Sequence, residues 1–415
     1  MTDRLYYTDS FLYDFEADVI EVLSPSSASQ HPAVILDRTA FYPTSGGQVF
    51  DTGWMAPLDA ASETGRTRVI EVAEREDDEV LHFLRCTTSI AKGTRIRGLI
   101  DADRRRDHMQ QHSGQHVLSA AFVRLFDLPT VSFHMGDDYC SIDLETNSLA
   151  PEQVEAAEQL ANEVILEDRP VEIRFVTQEV GRSLGLRKPP RGDKDELRLI
   201  DIHDFDLTAC GGTHVRGTGQ IGCILLRKVE KVRQGIRVEF VCGLRAVTTA
   251  RRDYSTLAEA AGLYSAHVWN LPQQIRKGQE ELKAVRRSRE QLLGELVEKH
   301  AAGILSETAV TNGRRVVSCL FPDHDLTYIK LLAQKLTRLE PNVVALLGST
   351  SGQPSLIFAQ SAGQPFDMGA LMKDVLGKLG GRGGGSKDMA QGGPADLARM
   401  EAALGECVRT LNTLK

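Results

Sequence analysis

Two five-residue motifs far apart in the chain, His112-Ser113-Gly114-Gln115-His116 and Cys210-Gly211-Gly212-Thr213-His214, restrict the fold more than any other feature. On a helix, residues four apart share a face, so His112 and His116 point the same way. The second motif reads as a tight turn, because two consecutive glycines let the backbone fold until Cys210 and His214 both face inward. Either motif alone is what a polar helix edge or an ordinary turn would show. Together they offer three imidazoles and a thiol, and a ligand pair from a helix with one from a turn is a recurrent metal-site pattern. The nitrogen and sulfur mixture favours zinc over magnesium or calcium. The fold is therefore expected to bring that helix onto that turn around Zn2+ held by His112, His116, Cys210 and His214.

At 415 residues the chain suits two or three domains. No run of eighteen apolar residues occurs, and the start Met1-Thr2-Asp3-Arg4 lacks a basic segment followed by an apolar one. The expectation is a cytoplasmic protein with no membrane partner. The seven cysteines are scattered singly, so reduced thiols are expected, with only Cys210 chemically employed. A net charge of -8 argues against a protein that coats nucleic acid without specificity. Two basic runs remain: Arg95, Arg97 and Arg104 to Arg106, and a longer one from Arg227 to Arg252. Each flanks a metal motif and reads either as a solvated face or as a phosphate contact.

Along the chain, short apolar runs at 19–23, 33–36 and 80–84 predict a β-rich, barrel-like N-terminal domain over 1–92. Within it, Phe41-Tyr42-Pro43-Thr44-Ser45-Gly46-Gly47-Gln48 reads as a glycine turn, either a plain hairpin or a loop that approaches a ligand through Ser45, Gly46, Gly47 and Gln48. Residues 93–264 read as an α+β metal-containing core: a helix from Asp101 to Phe126, strands at 140–144 and 171–176, a helix from Pro151, then strands at 221–226 and 236–242. The loop Thr130-Val131-Ser132-Phe133-His134 is polar and follows the histidine helix. Residues 265–300 read as a charged helical spacer in which Ile275, Leu282, Val285, Leu292 and Leu296 suit a coiled-coil arm or a helix packed on a neighbour. Strands alternating with helices over 301–415 predict a separate α/β domain. Its glycine cluster, Gly380 to Gly393, carries Arg382 and Lys387 and is suited to cradling phosphate, although it lacks the order of a nucleotide-hydrolysing loop.

At these residues the chain resembles the alanyl-tRNA editing proteins of the AlaX type and the editing and C-terminal parts of alanyl-tRNA synthetase. Four motifs carry the resemblance in order: Phe41 to Gln48, His112 to His116, Cys210 to His214, and Gly383 to Gly393. The last is similar to the signature of the DHHA1 domain, shared with some phosphoesterases, but no Asp-His-His motif accompanies it. A full synthetase would carry a class II catalytic domain and a helical tRNA domain ahead of Phe41, so the resemblance implies the long freestanding form. It implies a trans-editing hydrolase that deacylates tRNA(Ala) mischarged with serine or glycine. Discrimination against the smaller alanine requires a polar partner for the substrate hydroxyl, since size cannot exclude alanine. Similarity to the family's pocket favours Thr130, with Ser132 and His134 next. The C-terminal domain is expected to bind tRNA, or else to form a homodimer. The rival readings are a noncatalytic tRNA-binding protein with a structural zinc, and an editing deacylase for another amino acid, since threonyl-tRNA synthetase carries a related domain.

Overall fold

A computed structural model describes residues 2–25, 30–58, 65–86, 90–187, 196–233 and 235–413. The chain divides into two compact units, Met1–Glu259 and Ala260–Lys415.

The first unit begins with β1 (Asp3–Arg4), β2 (Asp14–Leu23), β3 (Ala33–Leu36), β4 (Arg38–Thr39), β5 (Gly53–Pro57), β6 (Thr67–Glu74), β7 (Val80–Leu84) and β8 (Arg95–Ile100). Six of these close a barrel in the order β2-β3-β7-β6-β5-β8, while β1 and β4 form a short parallel pair. Alternation explains the closure: Phe15, Ala17 and Val19 of β2, Val69 of β6, and Val80 and Leu84 of β7 are buried together inside. The barrel is closed by β8, which lies beyond the 1–92 bounds expected for this domain.

The rest of this unit comprises α1 (Ala102–Phe126), β9 (Thr130–Met135), β10 (Cys140–Leu144), α2 (Pro151–Leu166), β11 (Val171–Thr177), α3 (Gln178–Ser183), β12 (Glu196–Ile202), β13 (Asp206–Ala209), β14 (Ile224–Val232), β15 (Gly235–Cys242) and α4 (Gly243–Leu263). One sheet runs β14-β15-β10-β9 and a second β11-β12-β13. α1 is buried on nearly all sides from His108 to Phe122, with Met109, Val117, Leu118, Ala121 and Phe122 in the common core. It ends at Asp127, which takes a left-handed conformation (φ 53°). Two local expectations differ from the structure. The segment 130–134 is not a loop but strand β9, paired with β10 from Thr130↔Leu144 to Met135↔Cys140. The strand expected at 221–226 is β14 and starts only at Ile224, because a 3-10 turn, Thr218–Ile221, and Gly222 at φ 88° precede it.

The second unit holds α5 (Leu271–Glu307), β16 (Arg315–Phe321), α6 (Leu326–Leu339), β17 (Val343–Ser349), β18 (Ser355–Gln360), α7 (Met368–Lys378), β19 (Arg382–Gly385), β20 (Met389–Gly393) and α8 (Met400–Thr413). Its sheet runs β16-β17-β18-β20-β19. α5 is more than a spacer: Val297, Ala301 and Leu305 join the buried core against α6. Ile275, Leu282, Val285, Leu292 and Leu296 lie on its exposed side. The glycine cluster is a hairpin at the sheet edge, with Gly384 opposite Gln391, so part of its backbone is spent on the ladder rather than left as a free cradle. Among the described residues no helix is long and apolar enough to cross a membrane.

Candidate metal centre

α1 carries His112 and His116 on one face, with ring centroids 5.2 Å apart. The chain leaving β13 turns at Cys210–His214 and lays its own pair against them. The ligand atoms of His112, His116, Cys210 and His214 lie within 4.8 Å of one another. Cys210 Sγ is 3.4 Å from His112 Nε2 and 3.3 Å from His214 Nε2. The three histidines are nearly buried. Gly212 is required here, because a Cβ would stand 2.2 Å from His112 Cε1.

Electrostatics suit a cation. Burial works to raise the Cys210 thiol, but His112 and His214 outweigh it and hold the thiol well below its ordinary range. Burial, with His112 adding to it, pushes His214 well down, which leaves a neutral imidazole. A thiolate with three imidazoles is a donor set that zinc accepts and that magnesium and calcium do not. Two of the histidines have a hydrogen-bonding outer partner, as metal-binding imidazoles commonly do, and the third has a carboxylate at ion-pair distance. His112 Nδ1 is 2.7 Å from Gln48 Oε1, and His214 Nδ1 is 3.1 Å from Ser113 Oγ. His116 Nδ1 is 3.4 Å from Asp206 Oδ2, and Arg187 holds that carboxylate at 2.7 and 3.0 Å.

A cavity of about 120 Å³ opens beside the cluster, lined by His112, His116, Cys210, Gly46, Gln115, Thr130, Ser132, Phe133, Arg187, Thr208 and Ala209. The Thr130 hydroxyl lies 2.7 Å from Ser119 Oγ, which accepts a hydrogen bond from Gln115 Nε2 at 2.7 Å. Ser132 donates to Asp143 Oδ2 at 2.7 Å, and Asp143 is paired with Arg237. His134 is exposed and does not line the cavity. The turn 45–48 reaches the cavity from the barrel: Gly46 and Gly47 have φ +58° and +89°, and Gly47 O accepts Met135 N–H at 3.1 Å. Gln48 is fully buried with its amide engaged, so its side chain is not presented to a nucleic acid. Arg382 and Lys387 are exposed on the hairpin of the second unit.

Much of the basic character read as phosphate contact is spent internally. Arg95, Arg97, Arg227, Lys228, Arg237 and Arg245 pair with Glu16, Asp14, Asp253, Glu230, Asp143 and Asp107. Arg105 is wholly buried against Asp51. Sequence reasoning missed Asp206, Arg187, Thr208 and the Gln115–Ser119 pair. Gln115 lay inside the first motif, and its position one residue before His116 was the signal available.

A family model described as "tRNA synthetases class II (A)" matches residues 3–104, which here are the barrel and the first residues of α1. A second, "Threonyl and Alanyl tRNA synthetase second additional domain", matches residues 197–238, which include Cys210 and His214. The chain is 31% identical to an alanine–tRNA ligase of Archaeoglobus fulgidus and 29% identical to one of Pyrococcus abyssi, over 99% of its own length in each case. It spans only 44% of those ligases. The C-Ala domain of Aquifex aeolicus alanyl-tRNA synthetase covers 26% of the chain at 20% identity with a TM-score of 0.23, and nothing rests on that likeness. The alanyl-tRNA editing protein AlaX-L of Pyrococcus horikoshii is 30% identical over 94% of both chains, and by that full-length match this chain belongs to the AlaX family of alanyl-tRNA editing proteins.

Proposed function

We propose that the protein is a trans-editing hydrolase that deacylates seryl-tRNA(Ala), and glycyl-tRNA(Ala) as a second substrate, with Zn2+ held by His112, His116, Cys210 and His214. The observation that carries this reading is the small polar cavity that shares three of its lining residues with the four-ligand cluster. The bond broken is the ester between the aminoacyl carbonyl and a ribose hydroxyl; water adds across it, giving the free amino acid and the tRNA hydroxyl. Zinc at such a donor set supplies Lewis-acid polarisation of a carbonyl. The chain supplies the rest. Gly46, Phe133 and Ala209 shape a cavity of about 120 Å³, which fits a small side chain. Thr130 presents a hydroxyl to the substrate's own, while Ser132 and Thr208 keep the wall polar.

The parts then take these roles: the barrel through β8, with its glycine turn, as the N-terminal domain, α1 to α4 as the editing core, and residues 301–415, joined by the last turns of α5, as a DHHA1-like domain. Gly46 lines the cavity, Ser45 and Gly47 flank it in the turn as the substrate-side element of this reading, and Arg382 and Lys387 offer charge to tRNA phosphates or, in the rival role, to a second copy.

The test mixes purified protein with seryl-, glycyl- and alanyl-tRNA(Ala), with and without chelator, and follows loss of the ester. Hydrolysis of the seryl ester that chelator abolishes supports the reading. Four protein donors also fill a tetrahedral zinc, which favours a structural metal in a noncatalytic tRNA-binding protein as the second reading. No hydrolysis of any ester, with unfolding on metal removal, establishes that alternative. Thr130→Val removes the hydroxyl at nearly constant volume and should lower seryl-ester kcat/KM roughly 5- to 150-fold, the equivalent of about 1–3 kcal/mol for one unpaired buried group, with tRNA affinity unchanged. Unaltered kinetics would remove Thr130 from the role.

A further inference from the structure

We propose that Gln48, delivered by the barrel, is a positioning residue that sets the tautomer of His112 and clamps the two metal motifs together. The inference rests on the metal reading above. Gln48 is fully buried. Its amide orientation is not arbitrary, because Oε1 lies 3.1 Å from the Thr213 backbone nitrogen, which can only donate, while Nε2 donates to Thr213 Oγ1 at 2.9 Å. The same Oε1 is 2.7 Å from His112 Nδ1. An amide oxygen only accepts, so Nδ1 must carry the imidazole proton. The Nε2 lone pair of His112 is thereby left free, and Nε2 is the atom that faces Cys210 Sγ at 3.4 Å. One side chain thus holds a ligand from α1 in its metal-competent form and fixes the turn that carries Cys210 and His214.

The neighbouring structure is built around this contact. Gly46 and Gly47 take positive φ, which brings Ser45 and Gln48 into mutual backbone hydrogen bonds and turns the Gln48 side chain inward. A Cβ at Gly212 would lie 2.9 Å from Gln48 Oε1, so the glycine next to Thr213 is also needed for the clamp. Asp51 accepts the Tyr42 amide and is ion-paired to Arg105 of α1, which anchors the same loop to the helix bearing His112.

The test measures zinc affinity of the full chain by chelator competition for native protein, Gln48→Met and Gln48→Glu, with circular dichroism of the zinc-free forms to check folding. Gln48→Met keeps volume but loses both hydrogen-bonding atoms, and zinc affinity should fall about 10- to 100-fold, the range for loss of an outer partner of a metal-bound imidazole. In Gln48→Glu a carboxylate oxygen still accepts from Thr213 N–H and His112 Nδ1, and the Thr213 hydroxyl rotates to donate, so affinity should stay within a few-fold of native. Nitrogen-15 shifts of His112 in the zinc-free protein give the second readout. They should report the Nδ1–H form in native and Gln48→Glu and a tautomer mixture in Gln48→Met. Equal zinc affinity for native and Gln48→Met, or a loss in Gln48→Glu as large as in Gln48→Met, overturns the role of Gln48 and leaves the metal reading standing. Native protein that binds no zinc overturns the metal reading, and this inference with it.

Discussion

Replacing Asp51 with alanine should destabilise the first unit by about 3–5 kcal/mol, the cost typical of removing one partner of a buried ion pair. The carboxylate and the Arg105 guanidinium are both fully inaccessible. Arg105 Nε lies 3.0–3.1 Å from the two Asp51 oxygens, and its other nitrogens reach Ser10 O at 2.8 Å and Ala40 O at 2.5 Å. Without Asp51 a full positive charge stays buried with only neutral carbonyls around it, and the Tyr42 amide loses its acceptor as well. At about 2–4 °C per kcal/mol for a unit of this size, the melting transition of residues 1–259 should fall by roughly 6–20 °C. Calorimetry of Asp51→Ala, Arg105→Met and the double variant measures this. The double should cost at least ~2 kcal/mol less than the sum of the singles, because it leaves no unpaired charge. Single losses below about 1 kcal/mol, or strict additivity, would refute the argument that this pair joins the barrel to α1.

His82 gives a pH prediction. Burial pushes its imidazole down from 6.5 to about 4, with Val34 O opposing the shift slightly as acceptor for Nδ1. A base whose folded pKa is depressed adds stability that is complete above pH ~6.5 and lost as pH falls toward 4, where the unfolded chain binds the extra proton. The change is about 3 kcal/mol, and urea melts of His82→Gln between pH 7 and 4 should show a flatter profile than native; parallel profiles would sink the claim. For the second unit, deleting residues after about Tyr264 should leave zinc binding and ester hydrolysis at saturating tRNA largely intact but weaken tRNA affinity and flatten its salt dependence. Its twelve Lys and Arg against ten Asp and Glu make residues 301–415 mildly basic within an acidic chain. Equal affinity and salt slope for both lengths would favour self-association instead, which sedimentation distinguishes.

The ligand cluster was legible because periodicity and turn chemistry are local: four-residue spacing fixes one helix face, and paired glycines fix one turn. The barrel was legible as β-rich, but its last strand, β8, reads in the sequence as a basic run, Arg95-Ile96-Arg97. Its Ile96 and Ile100 point inward while Arg95 and Arg97 meet carboxylates on β2. Charge patterning misled for the same reason. A sequence shows cations without their partners, and Asp14, Asp107, Asp143 and Asp253 lie far from theirs in number. Strand β9 reads as a loop because Pro129 precedes it and Thr130, Ser132 and His134 are polar, but Thr130 and Ser132 border a cavity and pairing with β10 decides the conformation. Gln48 stood inside a motif that was read as substrate-facing, and only the register of the turn reveals that its amide faces His112.

On the proposed reading, the selectivity required of this site exceeds what one hydroxyl can supply. Ser119 Oγ accepts from Gln115 Nε2 and shares a 2.7 Å contact with Thr130 Oγ1 in which either hydroxyl can donate; with Ser119 as the donor, the Thr130 proton is available to a substrate hydroxyl in the cavity. An alanyl ester would leave that donor unpaired at a cost of about 1–3 kcal/mol, or roughly 5- to 150-fold. Sites built to bond a substrate hydroxyl reject the analogue without it by about 10⁴–10⁵, which corresponds to roughly 5.5–7 kcal/mol. A second polar contact to the substrate is therefore needed. Ser132 is committed to Asp143, which leaves Thr208, buried on β13 at the same cavity, as the better placed group. Thr130→Val alone should then reduce but not abolish the preference for seryl over alanyl esters, whereas Thr130→Val with Thr208→Val should bring the two rates within about tenfold. A double variant no less selective than the single would show that the discrimination lies elsewhere in the cavity wall.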